Sequence, residues 1–264
     1  MSSRFSEQDT EAFYDAEDAL YRSFWDREGS LHWGWFDQTT GDDFLSACIN
    51  LNRVMLEKAS ISPDSHVLDL GWLCRSAGCR VTGIDLSGVR IDNAIESLAS
   101  QPPDVQGRLK FEKASATNLP FGDGAFSHVW SQATIYHIHD KEKALQEAYR
   151  VLAPGGYLVF DDLTKPRPDI SSDARRYVYD RLLFDTDYSF TGYQDALLGT
   201  GFQLLESHDL SEHLGKSYSC LSRMAMAQRE KDPEVYEGLS RAYDQMVLAV
   251  ERQELGWGMY ICQK

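Results

Sequence analysis

His137 and His139, followed by Asp140, bring two imidazoles and a carboxylate within four residues, the side-chain types that ligate transition metals. No further ligand candidate stands near them, so the pair reads as structural and no metal is expected. Upstream, Tyr14, Tyr21, Trp25, His32, Trp33, Trp35 and Phe36, with Gly34 among them, form an unusually aromatic stretch. Ring faces attract a cation by about 0.5–2 kcal/mol per well-placed contact, and the same rings serve equally well to pack a segment onto a domain. Cys48, Cys74, Cys79, Cys220 and Cys262 are scattered without a C-x-x-C pair, which argues for reduced, mostly buried thiols rather than zinc or dithiol chemistry.

Such residues need elements to hold them. Ser65–Leu70 is a short β-rich run after the breaker Pro63-Asp64, and Arg80–Leu86 is a second, followed by Ser87 as N-cap of a helix reaching Ala99. Phe126–Ser131 follows the turn Gly122-Asp123-Gly124 as a third strand. Ala144, Leu145, Ala148, Val151 and Leu152 recur at helical spacing within Lys141–Leu152, Pro154-Gly155-Gly156 stops that helix, and Tyr157–Asp162 returns to strand. Strands alternating with helices predict βαβ units and a parallel sheet, with ligands beyond the carboxyl ends of the strands. From Leu163 to about Gly199 the pattern is mainly helical, as in an insertion or lid. Phe202–Leu210 and Gly256–Gln263 read as two final strands with an amphipathic helix between them.

The 264 residues carry 26 Lys plus Arg against 41 Asp plus Glu, a net charge of -15 with no basic run to offset it. Nucleic acid and anionic membrane are therefore poor partners, whereas a cationic or zwitterionic small molecule suits the field. No apolar run approaches the roughly 20 residues of a membrane span, and the polar start MSSRFSEQDT lacks a signal-peptide profile; cytoplasm is the expected compartment. Neither composition nor pattern indicates an oligomeric state.

The order of VLDLG at 67–71, GIDLS at 83–87, NLPFGDGAFSHVWS at 118–131 and RVLAPGG at 150–156 resembles the successive motifs of class I S-adenosylmethionine-dependent methyltransferases. The resemblance runs from about Tyr14 to the C-terminus. It implies an α/β Rossmann-like methyltransferase fold: a mostly parallel seven-stranded sheet with an antiparallel last strand, an N-terminal helical arm and an inserted helical lid. The corresponding division is an aromatic arm over 1–60, a cofactor-binding core over 61–163, a lid and substrate region over 164–200, and sheet-completing strands and helix over 201–264.

By the same resemblance the cofactor is S-adenosylmethionine. Asp69 and Gly71 belong to the loop holding its methionine and ribose parts, and Asp85, followed by Leu86, takes the ribose hydroxyls as an acceptor-only carboxylate facing two donors. Ser115, Ala116 and Thr117 stand where the family commonly has an acid and a small residue at the adenine, while Ser131 and Gln132 end the fourth strand on the cofactor side. Trp33 belongs to an arm that related enzymes fold over the cofactor. Tyr136 and His137, beneath the transferable methyl, are candidate bases or orienters.

One motif departs from the pattern. Gly71 runs straight into WLCRSAG, about eight residues short of the usual loop and without its second and third glycines. Glycine there lets backbone approach the ligand closely. Losing two or three backbone contacts at about 0.5–1.5 kcal/mol each weakens cofactor binding by about ten-fold to a thousand-fold. The inserted region and the final W-G at 257–258 are similar to the sarcosine and dimethylglycine N-methyltransferases. That likeness favours methyl transfer to a small amine; the carboxylate of such a substrate would want a cation such as Lys165, Arg167, Arg175, Arg176 or His213. A C- or O-methyltransferase of a prenylated or phenolic ring, and a methyltransferase fold that binds without turning over, are the other readings. A nicotinamide enzyme is disfavoured because no G-x-G-x-x-G follows the first strand.

Overall fold

A computed structural model describes residues 4–12, 25, 32–69, 78–184 and 186–264. Among these, seven strands form one sheet: β1 (His66–Asp69), β2 (Arg80–Asp85), β3 (Leu109–Lys113), β4 (Phe126–Gln132), β5 (Leu152–Thr164), β6 (Gln203–Asp209) and β7 (Gly256–Gln263). Their order is β3-β2-β1-β4-β5-β7-β6. The first five pair in parallel, and β7 lies antiparallel between β5 and β6, as expected of a mostly parallel sheet with a reversed last strand.

Alternation along each strand sends neighbouring residues to opposite faces. Val67, Val81, Trp130, Val159 and Leu163 face one core, covered by α1 (Phe44–Ala59) through Leu51, Met55 and Ala59. Leu68, Ile84, Val129, Leu158 and Phe160 face the other. Two amphipathic helices cover that second face: α3 (Lys141–Val151), and α4 (Phe190–Thr200) through Tyr193 and Leu197. Between β2 and β3 runs α2 (Gly88–Ala99), capped as predicted by Ser87, whose hydroxyl accepts the Arg90 N–H at 3.1 Å.

Three elements differ from the sequence reading. The strand Leu109–Lys113 lies outside the sequence reading, because three of the five residues of LKFEK are charged and the strand is an exposed edge. The stretch expected to be a helical lid from Leu163 onward splits in two. Its first part holds the short helical segments Ser172–Ala174 and Arg175–Asp180; its last part, α4, packs directly on the sheet. Between β6 and β7 there are two helices rather than one, α5 (Ser211–Ala227) and α6 (Pro233–Glu251), packed on each other. Asp232 caps α6 at the Val235 N–H, and Pro233 sits at its first turn, where a missing N–H costs nothing.

Register aligns the functional edge. Asp69 pairs with Gly83 and Trp130, and Gln132 with Asp161, so the carboxyl ends of β1, β2, β4 and β5 finish side by side. Behind them, Arg150 at the end of α3 donates to the carbonyls of Leu119 and Phe121 and to Glu147, pinning the segment that leads into β4.

Candidate functional site

Asp69 ends β1 fully buried, and Asp85 ends β2 half-buried. One Asp85 oxygen accepts the Ser87 N–H at 2.8 Å; the other lies 3.5 Å from the Arg90 guanidinium. Leu86, half-buried, follows at the strand exit. Beyond β3, Ser115 and Thr117 share a hydroxyl–hydroxyl bond of 2.7 Å around Ala116. The Ser115 hydroxyl donates to a carboxylate oxygen of Glu7, so within the 2.7 Å pair Thr117 is the donor; the Thr117 hydroxyl also lies 3.2 Å from the same Glu7 oxygen, and Glu11 pairs with Lys113 alongside. Sequence reasoning missed that acidic contribution, since Glu7 lies 108 residues before Ser115. Gly71 lies outside the described residues, as do Tyr14, Tyr21 and Cys74.

At the end of β4, Gln132 accepts the Trp130 indole N–H at 3.1 Å and donates to Asn52 on α1 at 2.8 Å. The hydroxyl of Ser131 is buried and has no partner among the described residues. Tyr136 and His137 follow in a 3₁₀ turn, ring on ring at 3.9 Å. Burial, then the charges of Lys141 and Arg90, pushes the His137 imidazole down to about 3. It is therefore neutral and a poor proton acceptor, which favours orienting over base chemistry. Asp140 caps α3, accepting the Lys143 N–H at 2.9 Å. Among the described residues no group of three or more His, Cys, Asp or Glu could hold a metal.

Two acids at the end of β5 were legible in YLVFDD only as the close of a strand. Both are fully buried. Asp162 points toward α4, where Tyr193 donates to it, and it also accepts the Tyr136 N–H at 2.8 Å. Asp161 points to the opposite face and accepts the Trp257 indole N–H at 2.8 Å. Burial, followed by the charge of Asp162, pushes the Asp161 carboxyl up to about 8. Burial likewise raises Asp162, against the hydrogen bond from Tyr193 and the charge of Lys141.

Trp33 reaches this edge from the N-terminal segment. Its ring lies 5.6 Å from Trp257, 6.0 Å from Tyr218 and 6.2 Å from Tyr136, centroid to centroid. Elsewhere in the aromatic stretch, Trp25 meets Phe44 and Tyr243 edge-on, and Trp35 and Phe36 stack on His213. Of the candidate cations, His213 accepts the Phe36 N–H at 3.2 Å, Lys165 lies 5.8 Å from the Tyr179 ring, and Arg167, Arg175 and Arg176 are exposed. Cys48, Cys79, Cys220 and Cys262 are buried thiols outside any disulfide.

This edge fits a nucleoside carrying a sulfonium. Asp85 is an acceptor placed for a diol, the unpartnered Ser131 hydroxyl can take or give a hydrogen bond, and the ring cluster around Trp33 suits a cation.

A family described as "Methyltransferase domain" matches residues 67–160. A glycine/sarcosine/dimethylglycine N-methyltransferase of Actinopolyspora halophila is 31% identical over 220 residues, which cover 78% of this chain but 37% of that longer protein. The sarcosine/dimethylglycine N-methyltransferase of Halorhodospira halochloris is 26% identical over the whole of both chains. Relatives named as O-methyltransferases occur at 26% and 29% identity. Among solved structures, the cyclopropane synthase MmaA2 of Mycobacterium tuberculosis superposes with a TM-score of 0.85 at 16% identity, covering 100% of this chain and 99% of that one.

Proposed function

We propose, from the premise that the chain belongs to the class I S-adenosylmethionine-dependent methyltransferases, that it transfers a methyl group from S-adenosylmethionine to the nitrogen of a small amine such as sarcosine or dimethylglycine. The observation that carries this reading is the ring cluster of Trp33, Tyr136, Tyr218 and Trp257 at the carboxyl edge of the sheet. Aromatic faces stabilise both a sulfonium and an ammonium. The names of the relatives, two of which act on these amines, support it as well.

In this reading Asp85 takes the ribose hydroxyls, and Ser115, Ala116 and Thr117, joined to Glu7, border the adenine. Asp69, Ser131 and Gln132 line the side toward the methionine part. When bound, the cofactor supplies an electrophilic methyl carbon on a positive sulfur. The chain's own contribution is positioning and the exclusion of water, since an amine nucleophile needs only a free electron pair. Tyr136 and the neutral His137 orient the acceptor beside Trp33.

The test is transfer of labelled methyl from the cofactor to a panel of glycine, sarcosine, dimethylglycine and phenols. Labelled amines with unlabelled phenols are expected. Labelling of phenols alone would replace this reading with the O-methyl one, for which relatives also exist.

A further inference from the structure

Two buried polar atoms beside the Trp33 ring cluster have no hydrogen-bond partner among the described residues: the Trp33 indole nitrogen and the second carboxylate oxygen, Oδ2, of Asp161. They belong to one neighbourhood. Trp257 donates its indole N–H to Asp161 Oδ1 at 2.8 Å, and its ring stands 5.6 Å from that of Trp33. One orphan is a donor and the other an acceptor of full negative charge when ionised. A buried carboxylate oxygen left without a partner is costly, and native structures keep such a group where a ligand or proton completes it. Among the described residues, the groups recorded against Asp161 are the Trp257 indole from β7, the neighbouring Asp162 and the Ala133 N–H, which bonds the Asp161 carbonyl, and none of these three brings a cation. Asp162 is already engaged on the opposite face by Tyr193 and Tyr136.

We propose that Asp161 Oδ2 and Trp33 Nε1–H are the two poles of the acceptor subsite, receiving respectively the ammonium and an acceptor oxygen of a small zwitterionic amine. This deepens the amine reading above and rests on it for the identity of the reaction. The rings of Tyr136, Tyr218 and Trp257 stand 5.6–6.2 Å from that of Trp33, and aromatic faces of this kind attract the cation that the carboxylate pairs.

The subsite also accounts for the proton. An ammonium nitrogen has no free pair, so a protonated amine must lose its proton before it can attack. Within the pair, the N–H proton passes to Oδ2, converting ammonium and carboxylate into neutral amine and carboxylic acid with no change in total charge. With the cofactor bound, the freed nitrogen pair would form the N–C bond as the S–CH3 bond breaks and its electron pair returns to sulfur. Asp161 gives that proton to solvent after the methylated product has left, a release that its raised pKa makes increasingly complete as pH approaches and passes about 8. Burial raises the affinity of Asp161 for that proton, whereas His137 is unsuited to hold it.

Ligand-observed NMR titrations of the full chain test this without cofactor. The ligands are dimethylglycine and isovalerate, which has the same shape with carbon in place of the ammonium nitrogen. Dimethylglycine is expected to bind about ten-fold or more tighter than isovalerate. Asp161→Asn, which keeps an acceptor for Trp257, should erase that preference while leaving S-adenosylmethionine affinity within about two-fold. Trp33→Phe should weaken both ligands alike, and in steady-state assays Asp161→Asn should raise the amine KM. Equal binding of the two ligands by the unmutated protein overturns the proposal even if a variant fails to fold. So does an Asp161→Asn protein that keeps the preference, or one that loses cofactor affinity instead. Selective dimethylglycine binding without methyl transfer upholds the subsite and overturns only the enzymatic reading.

Discussion

Tyr193 on α4 donates its hydroxyl to Asp162 at the end of β5, joining a helix on one face of the sheet to a carboxyl that also accepts the Tyr136 N–H. A single buried acid thus fixes both the crossover helix and the turn that carries Tyr136 and His137. Removing one donor leaves a buried acceptor unsatisfied, at a cost of about 1–3 kcal/mol. Tyr193→Phe should therefore lower Tm by roughly 2–10 °C in a chain of this size. A melting curve unchanged from the parent protein would show that the pair is not a tie.

Stability should fall as pH rises above about 6.5. The Asp161 carboxyl, raised to about 8 by burial, holds its proton in the fold at pH values where the unfolded chain, with an ordinary value near 4, has released it. Asp162 acts in the same direction. His137 works oppositely, because its imidazole is neutral in the fold and takes up a proton on unfolding below about 6.5. Between about pH 4 and 6.5 the single imidazole offsets only one of the two acids, and from about 6.5 to 8 the acids act alone. Urea titrations at pH 6.5 and 8 check this, with Asp161→Asn expected to flatten the fall.

Two glycines sit where a methyl group has no room. A Cβ on Gly34 would stand 2.5 Å from the Ala47 Cβ, and one on Gly258 would stand 2.9 Å from the Phe190 ring. The first position lets the Trp33 segment lie on α1, and the second lets β7 pass under α4. Gly34→Ala and Gly258→Ala should each cost about 1–3 kcal/mol as overpacking, read from denaturant midpoints at constant m. Gly34→Ala should also weaken cofactor or acceptor binding by displacing Trp33, an effect absent from Gly258→Ala.

Local pattern carried most of the sheet. The β-rich run at Val67 and Leu68, the Ser87 cap and a helix ending before Pro154-Gly155-Gly156 were readable because each is decided within a few residues, although the helix ends at Val151 and β5 already begins at Leu152, running through that proline and both glycines. The strand Leu109–Lys113 was not, because an exposed edge strand lacks a buried face to betray it. Nor could spacing reveal the partners of the acids. Trp257 is 96 residues from Asp161, Tyr193 is 31 from Asp162, and Ser115 is 108 from Glu7. The resemblance led to Asp85 and the β4 edge, but it made Tyr136 and His137 the chemical residues. The full burial of His137 shifts attention from that imidazole to the carboxyl across the cluster.

Asp85 offers a cleaner probe of the cofactor, being half-buried at a strand end rather than part of the core. Asp85→Asn replaces an acceptor-only carboxylate by an amide with half the acceptor capacity. Hydrogen bonds to a charged group contribute about 1.5–3 kcal/mol, so S-adenosylmethionine affinity should drop about ten-fold to a hundred-fold. Calorimetric titration decides it, and equal affinities would move the ribose elsewhere. Melting of the apo variant should barely change, since the Arg90 pair lost with it is partly exposed and weak.

The connection between β1 and β2 provides the sharpest test of the cofactor loop. These strands pair in parallel with Asp69 opposite Gly83, and only residues 70–79 join them. A parallel crossover ordinarily takes about a dozen residues or more, including its helix. The sequence GWLCRSAG at 71–78 has Gly71 and Gly78 as its only glycines, so the positions where backbone can approach a ligand closely are correspondingly few. S-adenosylmethionine should therefore bind the chain weakly, above the low-micromolar range. Inserting an eight-residue glycine-rich segment after Gly71 lengthens the crossover without touching Asp85, Ser131 or the Asp161 cluster. Affinity should rise about ten-fold to a thousand-fold, the return of two or three backbone hydrogen bonds. The dimethylglycine preference over isovalerate should stay where it was. Low-micromolar binding by the uninserted chain would show that this short connection already supplies the contacts its length argues against.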